Sequence, residues 1–113
     1  MLSFILYKID TQYYFKLLDS RESGYLLMSQ AYTTKQSALN GIRSVKLNGP
    51  IAERYSDHVN NGFIWFNLHA ANGEIIATSE HFPDTVLGKE KKKKKKKEKC
   101  PTVESLTLIE DLT

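Results

Sequence analysis

The chain has 113 residues, of which 41% are hydrophobic and 11% aromatic, so it is sized for one domain with a modest core. No apolar run approaches the roughly 20 residues of a membrane-spanning helix, and the single cysteine, Cys100, excludes an internal disulfide. The net charge of +3 conceals an asymmetry, because residues 89–99 contain nine lysines and two glutamates and the remainder is acidic. These features predict a cytoplasmic protein whose basic character is confined to one segment.

The first quarter of the chain predicts three antiparallel strands. Aromatic and β-branched residues at 4–8 and 13–18 are typical of the first two strands. A polar loop that ends in Gly24 leads to the third strand, at 25–29. We therefore expect the chain to begin with a meander of three neighbouring strands.

A helix is predicted to follow, with Thr33 as its N-cap, because Thr33 and Gln36 fit a capping box. An apolar stripe at helical spacing suits packing against a sheet; it consists of Ala38, Ile42 and Val45. Gly41 inside the helix costs about 1 kcal/mol relative to alanine, which predicts a close approach to the sheet there. The helix should end at Gly49-Pro50.

The second half of the chain repeats the pattern of the first at an offset of about 50 residues. After a short extended piece at 51–53, strand-like segments at 55–59 and 63–68 overlay the first two strands. Such a duplication predicts two copies of one supersecondary unit. The expected division of the single domain, 1–113, is repeat one at 1–53 and repeat two at 54–113.

A hairpin is the most clearly patterned stretch of the second repeat. Asn72-Gly73 separates two apolar segments, and Asn-Gly is the preferred pair for a two-residue turn in which both residues have positive φ. We predict such a turn at Asn72-Gly73 and another turn at Asn60-Asn61-Gly62 before it.

A second helix is expected over 83–99, where Pro83 and Asp84 suit a helix start. Lysines replace the apolar stripe of the first helix, and like charges at i, i+4 weaken a helix by roughly 0.2–0.5 kcal/mol per pair. Two alternatives therefore stay open for the lysine-rich segment, a docked helix and a solvated insert. The final strand lies at either 101–104 or 107–112.

Four motifs along the first 82 residues keep a specific order and spacing: Tyr14-Phe15-Lys16-Leu17, Ser29-Gln30-Ala31-Tyr32-Thr33, Leu39-Asn40-Gly41-Ile42-Arg43-Ser44-Val45-Lys46 and Phe66-Asn67-Leu68-His69-Ala70-Ala71-Asn72-Gly73-Glu74-Ile75-Ile76-Ala77-Thr78-Ser79. With these motifs the chain resembles the YegP-like family of small bacterial tandem-repeat proteins of unknown function. It departs from the family pattern at 83–100, where lysines replace part of the second copy.

The resemblance implies an α+β fold of two tandem β-β-β-α-β repeats. These are expected to form one antiparallel sheet with the helices packed on one face, a pseudo-twofold axis, and the C-terminal strands exchanged between repeats. Single-repeat relatives are expected to pair as dimers. The resemblance therefore implies that this two-repeat chain is a monomer built as a pseudo-dimer, or a weak homodimer.

The sheet face away from the helices is the candidate binding surface. If Phe15 and Phe66 face the helices, the alternate positions of the same strands lie on the other face. The candidate residues are Tyr14, Lys16, Trp65 and Asn67, together with Lys91, Lys93 and Lys95 of the lysine-rich segment. Aromatic side chains beside a lysine can stack single-stranded bases, although β-propensity alone also favours them in strands.

The sequence contains no pattern that indicates catalysis. His58, His69 and His81 lack the spacing of a metal site, and no Ser/His/Asp order or phosphate-binding loop stands out. Cys100 follows the lysines as either an activated or an incidental thiol. We therefore expect a non-enzyme without metal or cofactor.

The expected function is a small structural or protein-interaction module, which binds through the open sheet face or by strand addition at an edge. The alternative is weak binding of nucleic acid or another polyanion through Tyr14, Trp65 and the lysine run. The acidic body of the chain weighs against the alternative, because nucleic-acid binding usually requires a basic face.

Overall fold

Alternating apolar residues build one mixed β-sheet, and a helix covers one face of it. The computed structural model describes residues 1–83, 97–98 and 100–113. The elements are β1 (Leu2–Ile9), β2 (Gln12–Asp19), β3 (Leu27–Ser29), α1 (Lys35–Asn48), β4 (Tyr55–Asn60), β5 (Phe63–His69), β6 (Ile75–Thr78), β7 (Phe82–Pro83) and β8 (Leu108–Asp111). The strand order is β4-β5-β6-β3-β2-β1-β8, and β7 pairs with β5.

The core lies between α1 and one face of the sheet, with buried residues from β1, β2, β3, β5 and β6. Phe15 and Leu17 of β2, and Phe66 and Leu68 of β5, are fully buried. The alternation predicted for these strands is therefore confirmed. Burying each such side chain contributes about 1.5–3 kcal/mol, so the apolar face decides which side of the sheet the helix covers.

Helix α1 begins one residue later than the capping box predicted. Thr34, rather than Thr33, is the N-cap, and its hydroxyl accepts a hydrogen bond from the Ser37 N–H at 3.1 Å. Thr34 has the extended backbone of a cap residue, which lets its oxygen reach the free N–H groups of the first turn. The predicted apolar stripe, Ala38, Ile42 and Val45, is buried.

Of the two predicted turns, the one at Asn60-Asn61-Gly62 is confirmed and the one at Asn72-Gly73 has a different geometry. The two-residue turn with positive φ at both positions is Asn61-Gly62, with φ of 50° and 77°. The prediction of that turn at Asn72-Gly73 is wrong, because only Gly73 has positive φ, at 89°. There the Gly73 N–H donates to the Ala70 carbonyl, and the Asn72 side chain accepts from the Glu74 N–H at 3.0 Å. Asn72 therefore keeps a negative φ while its side chain pairs with the backbone N–H of Glu74, and only Gly73 adopts the left-handed conformation.

The C-terminal strand corrects the all-antiparallel prediction. β8 lies parallel to β1, with Phe4 opposite Ile109, and makes the sheet mixed. A parallel neighbour needs a long crossover rather than a hairpin, and a local sequence pattern does not reveal it. Of the two positions left open for this strand, the one at 107–112 contains β8, whereas Cys100–Thr102 forms a 3-10 turn.

Two other predictions concern the connection after α1 and the second helix. The extended piece expected at 51–53 is instead a 3-10 helix, Ala52–Arg54, in which the Arg54 N–H donates to the Ile51 carbonyl at 3.1 Å. The second helix, expected over 83–99, lies mostly outside the described residues. At its far end Lys97 donates to both carboxylate oxygens of Asp57 on β4, at 2.9 and 3.0 Å.

Two buried serines make equivalent hydrogen bonds in the two halves of the sheet. Ser29 accepts from the Phe15 N–H at 2.9 Å, and Ser79 accepts from the Phe66 N–H at 3.0 Å. Each hydroxyl then donates to the carbonyl of the following residue, at 2.9 Å in both cases. Each serine therefore satisfies two backbone groups at the point where β2 passes from β3 to the Tyr13–Tyr32 bridge, or where β5 passes from β6 to β7.

Gly41 provides the first test of this packing. A Cβ built on Gly41 would collide with the Tyr32 hydroxyl and lie 2.9 Å from Phe15 Cε2. Gly41→Ala should therefore lower the free energy of unfolding by about 1–3 kcal/mol, although alanine is the better helix former. The measurement is chemical denaturation. Tyr32→Phe removes the nearest obstacle, so the same substitution should cost less in that background; an equal cost in both would contradict the packing account.

Asp111 provides a pH-dependent test of how β8 is held. The Lys35 ammonium, followed by hydrogen bonds from Thr113, lowers the pKa of Asp111 from its ordinary 3.8 to about 2. Its contribution to stability is therefore present above pH 3.8 and is lost as the pH falls toward 2. An NMR titration of the Asp111 carboxyl should show this low pKa in the wild type and a value nearer the ordinary one in Lys35→Gln. An unshifted carboxyl in the wild type would show that Lys35 does not hold this strand.

Candidate functional site on the open face of the sheet

The sheet face away from α1, here called the open face, carries three of the four sequence-predicted site residues that lie in the described part of the chain. Tyr14 and Lys16 of β2 and Trp65 of β5 alternate with core residues, and all three are half-buried. Within the described part of the chain, α1 lies on the opposite face. Lys91, Lys93 and Lys95 lie outside the described residues.

A tyrosine–lysine cluster occupies one half of the open face. The rings of Tyr7 and Tyr14 stack with centroids 5.6 Å apart and an interplanar angle of 15°. Lys16 Nζ lies 5.5 Å from the centroid of Tyr7 and 5.3 Å from that of Tyr25. Burial raises the pKa of Tyr7 and of Tyr25, so both phenols stay neutral and Lys16 supplies the charge of the cluster.

A tryptophan–histidine cluster occupies the other half. The ring of His58 on β4 stacks against Trp65 at 5.6 Å, and His81, which precedes β7 on the other side of β5, lies 4.4 Å from the same indole. Two neighbouring imidazoles thereby hold the indole in place. Since the chain has one tryptophan, this cluster also contains its only indole fluorophore.

A shallow depression lies at the centre of the face, between the two clusters. It has a volume of about 350 Å³ and is lined by Tyr25, Met28, Thr78, Ser79 and His81. The Tyr25 N–H donates to Glu80 Oε1 at 3.0 Å, which ties the loop before β3 to the segment after β6. The two clusters and the depression therefore form one continuous surface of aromatic and sulfur-containing side chains.

Asn67 is a correction to the predicted surface. It lies on the predicted strand but is only 6% exposed, because it is a central position between Ser56 of β4 and Thr78 of β6. Its side-chain oxygen is buried and has no hydrogen-bond partner in the described structure. Asn67 therefore lies beneath the open face rather than on it.

The structure also brings together three polar residues that the sequence interpretation did not combine. Ser56 Oγ lies 2.7 Å from His58 Nε2 and 2.7 Å from His69 Nε2, and His69 Nδ1 lies 2.9 Å from the Gly73 carbonyl. The signal was present in the sequence. Ser56 and His58 are two residues apart on one strand and therefore share a face. The Asn61-Gly62 turn fixes the register that places them beside β5.

Cys100 offers no exposed thiol. Cys100 is fully buried, which leaves its thiol inaccessible to reagents. Across the described residues there is no group of three or more His, Cys, Asp or Glu side chains that could hold a metal ion. In the same residues, no helix is both long and apolar enough to cross a membrane.

Comparison with known sequences places the chain among proteins without assigned function. A family model described as a domain of unknown function, DUF1508, matches residues 10–56. A UPF0339 protein of Shewanella oneidensis is 48% identical over 61 residues, covering 53% of this chain and 56% of that protein. UPF0339 protein YegP of Escherichia coli K12 is 42% identical over 74 residues, which are 65% and 66% of the two chains. A UPF0339 protein of Photorhabdus laumondii is 39% identical over 82 residues, 72% and 71% of the two chains.

Solved structures match over nearly the whole chain. The solution NMR structure of UPF0339 protein SO3888 from Shewanella oneidensis has a TM-score of 0.82 and 34% identity, and covers 99% of this chain and 92% of that one. The solution NMR structure of yegP from E. coli, described as a protein of unknown function, has a TM-score of 0.81 and 32% identity, covering 99% and 93%. By contrast, the matches to the Shewanella and E. coli sequences span less than two thirds of those proteins.

Asn67 provides a test of whether its buried side chain contributes to the stability of the fold. Because its buried oxygen makes no hydrogen bond, Asn67→Val should leave the free energy of unfolding unchanged or raise it by about 1 kcal/mol. The matched control is Ser79→Ala, also a buried polar residue, which should cost about 1–3 kcal/mol because two backbone groups lose their partner. Both are measured by urea denaturation. A cost for Asn67→Val as large as that for Ser79→Ala would show that the asparagine is a structural residue.

Proposed function

The chain belongs to the UPF0339, or YegP-like, family of proteins of unknown function, and from that premise we propose that it is a non-enzymatic protein-interaction module that binds through the open face. The observation that carries the proposal is the content of that face. Tyrosine, tryptophan and methionine are enriched at the cores of protein interfaces, and Trp and Tyr dominate their binding hot spots. Here Tyr7, Tyr14, Tyr25, Met28 and Trp65 share one face and are half-buried.

The rigidity of these side chains supports the same function. Tyr14 is held by its stack on Tyr7, and Trp65 is held between His58 and His81. Side chains that are already ordered lose little conformational entropy on binding, which favours affinity. Their positions on paired strands also fix their spacing, as a preformed interface requires.

The charge of the face indicates what kind of partner fits. The Lys16 ammonium lies over two tyrosine rings, and the rings beside it are apolar. A complementary partner surface would present an aliphatic or aromatic side chain with a carboxylate close to it. Such a carboxylate would pair with Lys16 in a partly desolvated setting, where the charge adds specificity.

The proposal extends to the organisation of the fold and its cellular setting. The equivalent bonds of Ser29 and Ser79 support two tandem repeats related by a pseudo-twofold axis. The pairing of β8 with β1 supports exchange of the last strand of repeat two into repeat one. We extend the proposal to a monomeric, cytoplasmic protein that needs no catalytic residues or cofactor.

A second candidate function is weak binding of single-stranded nucleic acid. The observation that favours it is the Tyr7–Tyr14 stack with Lys16 beside it, since bases stack on aromatic rings and phosphates pair with lysine. The lysine-rich segment at 89–99 would add a salt-sensitive contribution. Affinity for a single-stranded oligonucleotide should then fall steeply as salt rises, whereas binding that rests on apolar contacts should change little.

The test of the leading function compares five baits in a nuclease-treated bacterial lysate: the wild type, Tyr14→Ala, Trp65→Ala, Arg43→Ala and a chain with residues 89–99 replaced by a neutral linker. Truncating a hot-spot aromatic costs about 2 kcal/mol or more. A specific partner should therefore be retained by the wild type, by Arg43→Ala on the exposed side of α1 and by the linker variant. It should be lost from both open-face variants, whose folding is checked by circular dichroism.

Other outcomes separate the alternatives. Partners that remain on Tyr14→Ala and Trp65→Ala would contradict the open-face proposal. Partners that disappear only when residues 89–99 are replaced belong to the lysine-rich segment. If the nuclease-treated lysate yields no specific partner, while the wild type binds a single-stranded oligonucleotide with an affinity that falls steeply with salt, the second candidate replaces the first.

A further inference from the structure

Two histidine nitrogens converge on one oxygen at the edge of the open face. His58 Nε2 on β4 and His69 Nε2 at the end of β5 each lie 2.7 Å from Ser56 Oγ. Because they share this neighbour, the two nitrogens are at most about 5.4 Å apart, twice the common hydrogen-bond distance. Neither the chain's family membership nor the interaction role of the face explains this arrangement.

The hydrogen bond of His69 to the backbone fixes which of its nitrogens is available. His69 Nδ1 lies 2.9 Å from the carbonyl oxygen of Gly73, which can only accept a hydrogen bond. Nδ1 therefore carries the proton in the neutral ring, and the lone pair of Nε2 points at Ser56. A backbone carbonyl that receives the second ring N–H is the usual support of a metal-binding histidine, since it fixes both the tautomer and the ring orientation.

The position of His58 is fixed by packing instead. Its ring stacks on Trp65 with an interplanar angle of 19°, and in that position its Nε2 lies 2.7 Å from the same oxygen. In the metal-free protein, the Ser56 hydroxyl donates to His69 and accepts from His58 Nε2–H. Moving that proton to Nδ1 through solvent frees the second lone pair.

We propose that His58 and His69 form a two-imidazole site for an exchangeable borderline divalent cation, such as Cu²⁺, Ni²⁺ or Zn²⁺. Imidazole nitrogen suits these ions, whereas Mg²⁺ and Ca²⁺ take oxygen ligands. Two imidazoles on a tetrahedral ion, with bonds of about 2.0–2.1 Å, have nitrogens roughly 3.4 Å apart. The ion would take the place of the Ser56 hydroxyl between the two nitrogens, and small tilts of the two half-buried rings within their existing contacts would close the remaining distance.

The number of protein ligands sets the character of this site. The described residues contain no group of three or more His, Cys, Asp or Glu ligands, so water completes the coordination. The bound ion is therefore exchangeable, and affinities should follow the order Cu²⁺ > Ni²⁺ as they do for nitrogen sites in general. Both imidazoles must be neutral to bind, so binding releases any protons they carry and weakens on acidification.

Trp65 makes the site measurable, because the His58 ring stacks directly on the only indole of the chain. Copper bound at His58 Nε2 should quench the indole fluorescence, and Zn²⁺ should compete with it without quenching. The experiment titrates the intact chain, purified without a histidine tag, with CuCl2. The wild type should show saturable quenching, and Mg²⁺ should neither quench nor compete.

The variants distinguish this site from other copper-binding groups. His58→Gln and His69→Gln should each weaken the apparent affinity at least tenfold, and the double variant should bind no more tightly than either. His81→Gln is the matched control: His81 contacts the same indole but not Ser56, so this variant should bind as the wild type does. Unchanged affinity in His58→Gln or His69→Gln, or an equal loss in His81→Gln, would overturn the assignment.

A second measurement does not depend on any variant's folding. A Zn²⁺ titration of the wild-type protein, followed by NMR of the imidazole protons, should shift His58 and His69 together and leave His81 in place. Shifts confined to another group, or none at millimolar Zn²⁺, would overturn the proposal.

Discussion

The packing of α1 against β2 and β5 determines which face of the sheet is left for function. Phe15 and Leu17 of β2, with Phe66 and Leu68 of β5, form the apolar layer beneath the helix. The helix can approach this layer only because Gly41 has no side chain to collide with Phe15 and Tyr32. Since side chains alternate along a strand, this choice also places Tyr14, Lys16 and Trp65 on the other face.

Much of this arrangement could be predicted from the sequence, because it depends on short periodicities. Alternation in β2 and β5, the helical stripe of α1 and the close approach at Gly41 are local patterns with one physical interpretation. The missed features depend on pairing partners or on fine turn geometry. Nothing in residues 108–111 indicates that β8 lies parallel to β1. The two Asn-Gly pairs look alike in the sequence, and they differ in the fold because the Asn72 side chain accepts a hydrogen bond from the Glu74 N–H.

The face that carries the candidate site could be predicted from the sequence, but the burial and contacts of its residues could not. Strand alternation is enough to identify the face, but burial within the face depends on neighbouring strands, so Asn67 was assigned to the surface although it lies beneath it. The Ser56–His58–His69 group needed the β4–β5 register, which the Asn61-Gly62 turn sets. Each histidine alone lacks a ligand partner in the sequence. Only the folded sheet brings two of them to one oxygen.

The central claim is that the open face is accessible to a partner, and the single tryptophan tests it most directly. Acrylamide quenching of Trp65 should be measured in the folded and the urea-unfolded chain over a range of protein concentrations. We predict that the folded protein retains a substantial part of the quenching seen in the unfolded chain, independent of concentration, because Trp65 is only half-buried. An indole that is protected in the folded protein and emits at short wavelength would show that the face is covered, either by the chain itself or by a second copy, and would contradict the account.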